Sequence, residues 1–215
     1  MKRLIVVAVL AFVFITTSAH AADKGMYVSG NLGVSLAADS NFSVSGVDVF
    51  EISLDPGFNI GGAFGYHYGE FRAEFEIAYH AWDMDEGTIP GVIDGVVIPG
   101  CPCTGPIDGD ASALSFMVNW YYDFPVVNLP VSPYLGLGIG GAIVTGDITG
   151  LGDDSDLAFA YQIMAGIGFE INPSTTLTAG YRFFLTEDPE VQIFGTDVEF
   201  TVESHEFNVG ARFMF

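Results

Sequence analysis

His205-Glu206-Phe207-Asn208-Val209-Gly210-Ala211-Arg212-Phe213-Met214-Phe215 is the last stretch of a 215-residue chain, and it alternates. His205, Phe207, Val209, Ala211, Phe213 and Phe215 fall on one face; Glu206, Asn208, Gly210, Arg212 and Met214 fall on the other. Successive side chains of a strand point to opposite sides, so a period of two marks a strand whose faces meet different surroundings. Here one face is apolar and aromatic and the other is polar or small.

The same pattern runs backwards through the chain. Leu177, Ala179, Tyr181, Phe183 and Leu185 oppose Thr178, Gly180, Arg182 and Thr186. Phe159, Tyr161, Ile163, Ile167 and Phe169 oppose Ala160, Gln162, Gly166, Gly168 and Glu170. Leu135, Leu137, Ile139 and Ile143 oppose Gly136, Gly138, Gly140 and Ala142, and Phe116, Val118, Trp120 and Tyr122 oppose Ser115, Asn119 and Asp123. Phe71, Phe75, Ile77 and Tyr79 oppose Arg72, Glu74, Glu76 and His80. Residues 58–66 and 28–36 complete a set of eight strands. The connections alternate in length. Gly69-Glu70, the stretch around 125–133 and Asn172-Pro173-Ser174 are short; 38–56, 85–110, 148–156 and 187–203 are mostly longer.

Eight alternating strands with short turns at one end and longer loops at the other predict an all-β fold. The expectation is an eight-stranded antiparallel transmembrane β-barrel of the bacterial outer membrane, a closed form that satisfies every backbone polar group inside lipid. A soluble ligand-binding barrel would place the large apolar faces inside instead. The N-terminus weighs for export. Lys2 and Arg3 precede an apolar run over residues 4–15, and Ala19-His20-Ala21 forms an A-x-A cleavage site, so 1–21 reads as a signal peptide and 22–215 as the barrel domain. The termini are then periplasmic and the long loops extracellular.

The charge is lopsided, with 27 acidic against 6 basic residues and a formal net charge of −21. Nucleic acid is a poor partner for such a surface, and divalent cations are better ones. Most of the acid lies in the four long connections, which hold no Lys or Arg. A solvated, repulsive surface accounts for this. Asp153, Asp154 and Asp156 form a weak cation candidate without the EF-hand pattern. Val198, Phe200 and Val202 alternate in the opposite phase to Phe207 and Val209, which predicts a bulge near Ser204 and a hairpin turning at Gly195-Thr196, with Gly46 a similar turn in the first loop.

With the aromatic faces toward lipid, Arg72, Arg182 and Arg212 point inward with Glu74, Glu76, Glu170 and Glu206. Eight strands leave room for little more than side chains, and a buried arginine needs a partner, so an internal ion network filling the lumen is expected. A charged pore lining is the alternative. His67 and His80 also point inward, while His205 sits on the lipid side near the rim. No motif places a serine beside either inward histidine, and there is no phosphate loop, zinc motif or nucleotide fingerprint, so neither catalysis nor a cofactor is expected. Cys101-Pro102-Cys103 is a loop feature whose redox state the sequence leaves open, since a disulfide across one residue is hard to close.

Tyr134-Leu135-Gly136-Leu137-Gly138-Ile139-Gly140, Phe159-Ala160-Tyr161-Gln162 with Ala165-Gly166-Ile167, and Asn172-Pro173 leading to Ala179-Gly180-Tyr181-Arg182-Phe183 resemble the opacity-type family of proteobacterial outer-membrane surface antigens. The aromatic Phe215 at the terminus is similar to the closing strand of outer-membrane barrels. The resemblance covers the second half of the chain well and the first half by pattern. It implies an eight-stranded surface protein without catalytic residues, serving surface structure, adhesion or immune exposure, with porin-like permeability in some members. The lipid of the outer membrane is then one partner; any host or surface ligand is unnamed.

Overall fold

The computed structural model describes residues 24–38, 40–44, 47–89, 91–93, 96–126, 128–148, 152–187, 190–193, 196–199 and 201–215. The expected signal peptide lies outside them, as do Asp39, Asp94, Gly46 and Gly195. Eight long strands form the wall: β1 Lys24–Ala37, β2 Gly57–Tyr68, β3 Phe71–Ile89, β4 Cys103–Asp123, β5 Val131–Ile148, β6 Gly152–Asn172, β7 Thr175–Thr186 and β8 Glu203–Met214. Each pairs antiparallel with its neighbour in sequence, and β1 pairs with β8 from Tyr27↔Met214 to Ala37↔Ser204. The last pairing closes the ring and leaves no wall strand with an open edge.

Exposure separates the two barrel readings. Leu137 is 61% exposed, Phe207 56% and Phe64 52%, whereas Glu76, Glu206 and Arg182 are 1%, 0% and 5% exposed. A water-soluble barrel would not turn its large apolar side chains out and its charges in; a lipid-facing wall does. The inward glycines of β5 have a packing reason. Gly136 lies under the Tyr121 ring and Gly138 against the Asn119 carbonyl oxygen, so a Cβ at either would collide with the side chain from β4.

Two sequence expectations change, and one open question is answered. The second and third loops are shorter than read, because β3 and β4 pair as far as Ile89↔Cys103, and β5 and β6 as far as Ile148↔Gly152. These four strands have 18–21 residues, about twice what crossing the hydrocarbon core requires, so the wall continues beyond the apolar band at the long-loop end. Second, β8 needs no bulge at Ser204. Its registers with β1 and β7 run without a shift, and Val202, Ser204 and Glu206 share the inward phase. Val202 is apolar because the lumen itself turns apolar at that height. Cys101 and Cys103, whose redox state the sequence leaves open, are joined as a disulfide. The loop hairpins are present: Ser40–Val44 pairs with Val47–Leu54, and Glu190–Ile193 with Thr196–Glu199. The two touch at Ser43↔Glu199, which stitches the first long connection to the fourth.

Candidate functional site

The lumen has three layers, set by which residues each strand turns inward at a given height. At the short-turn end, Arg72 of β3 donates to Asp123 of β4 from Nε at 2.6 Å and from Nη2 at 3.1 Å. Its guanidinium lies 4.2 Å from the Tyr121 ring centre and 5.4 Å from that of Tyr134. Arg212 Nη1 reaches the same carboxylate at 3.8 Å, and His67 Nε2 at 3.4 Å. Parity on β4 turns Asp123 inward, but nothing in the sequence marks it as the anchor of two arginines.

In the middle layer Glu76 is the hub. It accepts from Arg182 Nη2 at 2.5 Å and from Asn119 Nδ2 at 2.6 Å. Arg182 Nη1 also lies 3.6 Å from Glu206. Glu74 is held by hydroxyls rather than by an arginine: Tyr27 and Tyr121 each donate to it at 2.8 Å. Glu170 joins none of this. It is exposed near the short turn that links β6 to β7, and its backbone bonds Pro130, because the inward phase of β6 runs out of lumen there. Of the seven residues expected to form one lumen ion network, Arg182, Glu76 and Glu206 are joined, Arg72 and Arg212 meet at Asp123, Glu74 is held by hydroxyls, and Glu170 lies outside.

The third layer, toward the long loops, is apolar. Trp82, Met117, Val144, Phe184 and Val202 pack with the small residues Ala113, Ala142, Ala158 and Ala160. His80 stacks on Phe184, ring centres 4.7 Å apart, and on Trp82 at 6.0 Å. One arrangement here escaped the sequence reading. His80 Nδ1 is 2.6 Å from Glu206 and Nε2 is 3.1 Å from Ser115 Oγ, which is the connectivity of a serine, histidine and carboxylate triad drawn from three strands. Ser115, His80 and Glu206 are 1%, 0% and 0% exposed, and the Ser115 hydroxyl donates to the Ala78 carbonyl. A hydrolytic nucleophile needs room for a substrate carbonyl beside it, and this serine is packed on all sides. The triad is a buried hydrogen-bond chain that fixes His80 between two aromatic rings.

Between the first and second layers lies a cavity of about 70 Å³, bordered by Arg72, Arg182, Arg212, Glu74, Asn31 and Asn208. Nε of Arg182 and of Arg212 and the amide oxygens of Asn31 and Asn208 are buried without a protein partner. The space suits a few waters that would satisfy them. Among the described residues no group of three or more His, Cys, Asp or Glu is placed to hold a metal ion. The side chains of Asp153 and Asp154 lie outside the description, and Asp156 is half-buried and engaged in contacts.

A closed ring of eight strands with an apolar outside and an ionic inside defines the class, and the comparisons agree. The family model described as outer membrane protein beta-barrel domain matches residues 5–215. The chain belongs to this family. Major surface antigen 4 of Anaplasma marginale is 28% identical over 210 residues, covering 85% of this chain and 70% of that protein. A protein of Brucella suis biovar 1 (strain 1330) is 28% identical over 151 residues, 62% of this chain and 53% of its own length, so the chain spans about half of that relative. Among solved structures, Neisserial surface protein A superposes with a TM-score of 0.55 at 21% identity, over 92% of this chain and all of that one. The outer membrane protein OprG from Pseudomonas aeruginosa gives 0.57 at 14% identity, over 92% and 98%. At these identities the structures speak for the fold. The place of this outer membrane β-barrel is the bacterial outer membrane.

Proposed function

We propose that this barrel is a non-enzymatic surface protein whose function lies in its long acidic connections, with termini in the periplasm and long loops outside the cell. The observation that carries the reading is the filled lumen. An ionic layer and an apolar layer lie in series, and the residues of the second, His80, Met117 and Phe184, are 0% exposed. A barrel so plugged offers no path to solute and leaves its outer surface as the part that meets partners. The likeness to a surface antigen supports an adhesive or antigenic role, and the uncompensated loop charge suits divalent cations as bridging ions.

One observation favours a second reading, a narrow channel for small solutes: the cavity among Arg72, Arg182 and Arg212 is roomy enough for water. No residue of the apolar layer borders it, so conduction would require the Glu76–Arg182 layer as well as Trp82 and Phe184 to move. A liposome-swelling assay distinguishes the two. Refolded protein should admit small sugars no faster than empty liposomes, and swelling that scales inversely with sugar size would favour the channel.

A further inference from the structure

The Cys101–Cys103 disulfide has no evident structural task. It closes a loop across one residue, where the restriction of the unfolded chain is least. The frame around it is held by other bonds. Ile98 N donates to Gly91 O at 2.9 Å, Cys101 N to Ile98 O at 3.2 Å, and Cys103 is in register with Ile89 at the end of the β3–β4 ladder. Pro102 and Cys103 are exposed and Cys101 is half-buried, so the disulfide lies at the surface on a formed turn. The chain has no other cysteine to pair with either.

We infer that this exposed disulfide is a thiol-exchange site, selective for thiols of neutral or positive charge. The inference rests on the proposed placement of the long loops outside the cell. A thiolate attacks the sulfur of the exposed Cys103, forming a mixed disulfide and breaking the Cys103–Cys101 bond. The electron pair leaves on Cys101 as a thiolate. A second thiolate attacking the incoming sulfur releases the small disulfide and leaves both cysteines reduced; each electron lost by the two thiols is gained by the pair. The charge selection follows from what surrounds the site. From residue 73 to residue 181 the chain has no Lys or Arg, while Asp83, Asp85, Glu86 and Asp110 are exposed on the adjoining parts of β3 and β4. Arg72, Arg182 and Arg212 are buried in the lumen, and Lys24 sits over Tyr68 at the opposite end. An attacking group therefore meets an uncompensated negative field.

The test uses full-length refolded protein in detergent and three small thiols of similar size: cysteamine, mercaptoethanol and mercaptopropionate. Their thiolate forms are net neutral, singly negative and doubly negative. Iodoacetamide traps the freed cysteine, and mass spectrometry counts mixed disulfides. The expected result is an adduct with cysteamine forming, per thiolate, about tenfold faster than with mercaptopropionate at low salt, the ratio falling toward one at about 1 M salt. The Cys101→Ser/Cys103→Ser variant should form no adduct and keep the wild-type melting temperature. Absence of any adduct, or a melting temperature lowered by several degrees in that variant, would overturn the site in favour of a structural staple; equal rates for the three thiols would overturn the charge selection. Labelling of reduced intact cells with a membrane-impermeant maleimide tests the loop placement separately, so failure of exchange and failure of topology give different signatures.

Discussion

Arg182 shows how far side-chain direction can be read and where it stops. Parity on β7 turns Arg182 inward and names Glu74, Glu76 and Glu206 as its possible partners. The structure joins it to Glu76 and Glu206 and gives Glu74 to Tyr27 and Tyr121. Parity fixes the face of a strand, whereas height in the lumen depends on how the tilted strands are staggered, which no single strand reveals. The same limit hid the Ser115–His80–Glu206 chain, whose members come from β4, β3 and β8. It also let Glu170 into the expected network, although the lumen ends below it. Replacing Arg182 with Met strands the buried Glu76 carboxylate, and urea unfolding in lipid vesicles should show a loss of about 3 kcal/mol or more. A change under about 1 kcal/mol would mean that water already screens the pair, as in an open pore. Phe184→Ala removes the ring on which His80 stacks and should cost about 3–5 kcal/mol in the same assay; a neutral result would mean that the apolar layer is not packed.

At the scale of elements, period two was enough to find all eight wall strands, because each has one face in lipid and one in a narrow polar interior. Their ends were less legible. Beyond the apolar band both faces meet water, alternation fades, and β3 to β6 continue as strands through sequence that reads as loop. Val202 reads as outward because it is apolar, but the interior at its height is apolar too. The wall makes a prediction of its own. Leu137 faces outward midway along β5, so Leu137→Arg should destabilise the barrel by about 2–4 kcal/mol in bilayers. Little change there would place that face out of the hydrocarbon. For the connections, an epitope tag inserted at Asp94 or Asp153 should be reached by antibody on intact cells and one at Ser174 should not; the reverse pattern would invert the proposed topology.

Across the whole molecule charge is divided by sign: the arginines beyond Arg3 lie in the lumen, and most of the acid lies in the long connections. Three of the four basic residues beyond Arg3 are buried in the lumen, and the acid of the long connections has no basic neighbour in sequence. Carboxylates crowded in this way repel, and a divalent ion relieves the repulsion more than a monovalent ion at equal ionic strength. Ca²⁺ or Mg²⁺ should therefore raise the melting temperature above that in sodium at matched ionic strength, and equal effects would leave only general screening. The central claim is that the barrel is plugged and acts from its surface. Planar-bilayer recording of the refolded protein, beside a Trp82→Ala/Phe184→Ala variant, tests it most directly. The wild type should be silent at all applied voltages, with discrete conductance steps appearing once the apolar layer is cut away. Stable, ohmic steps from the wild type would contradict it.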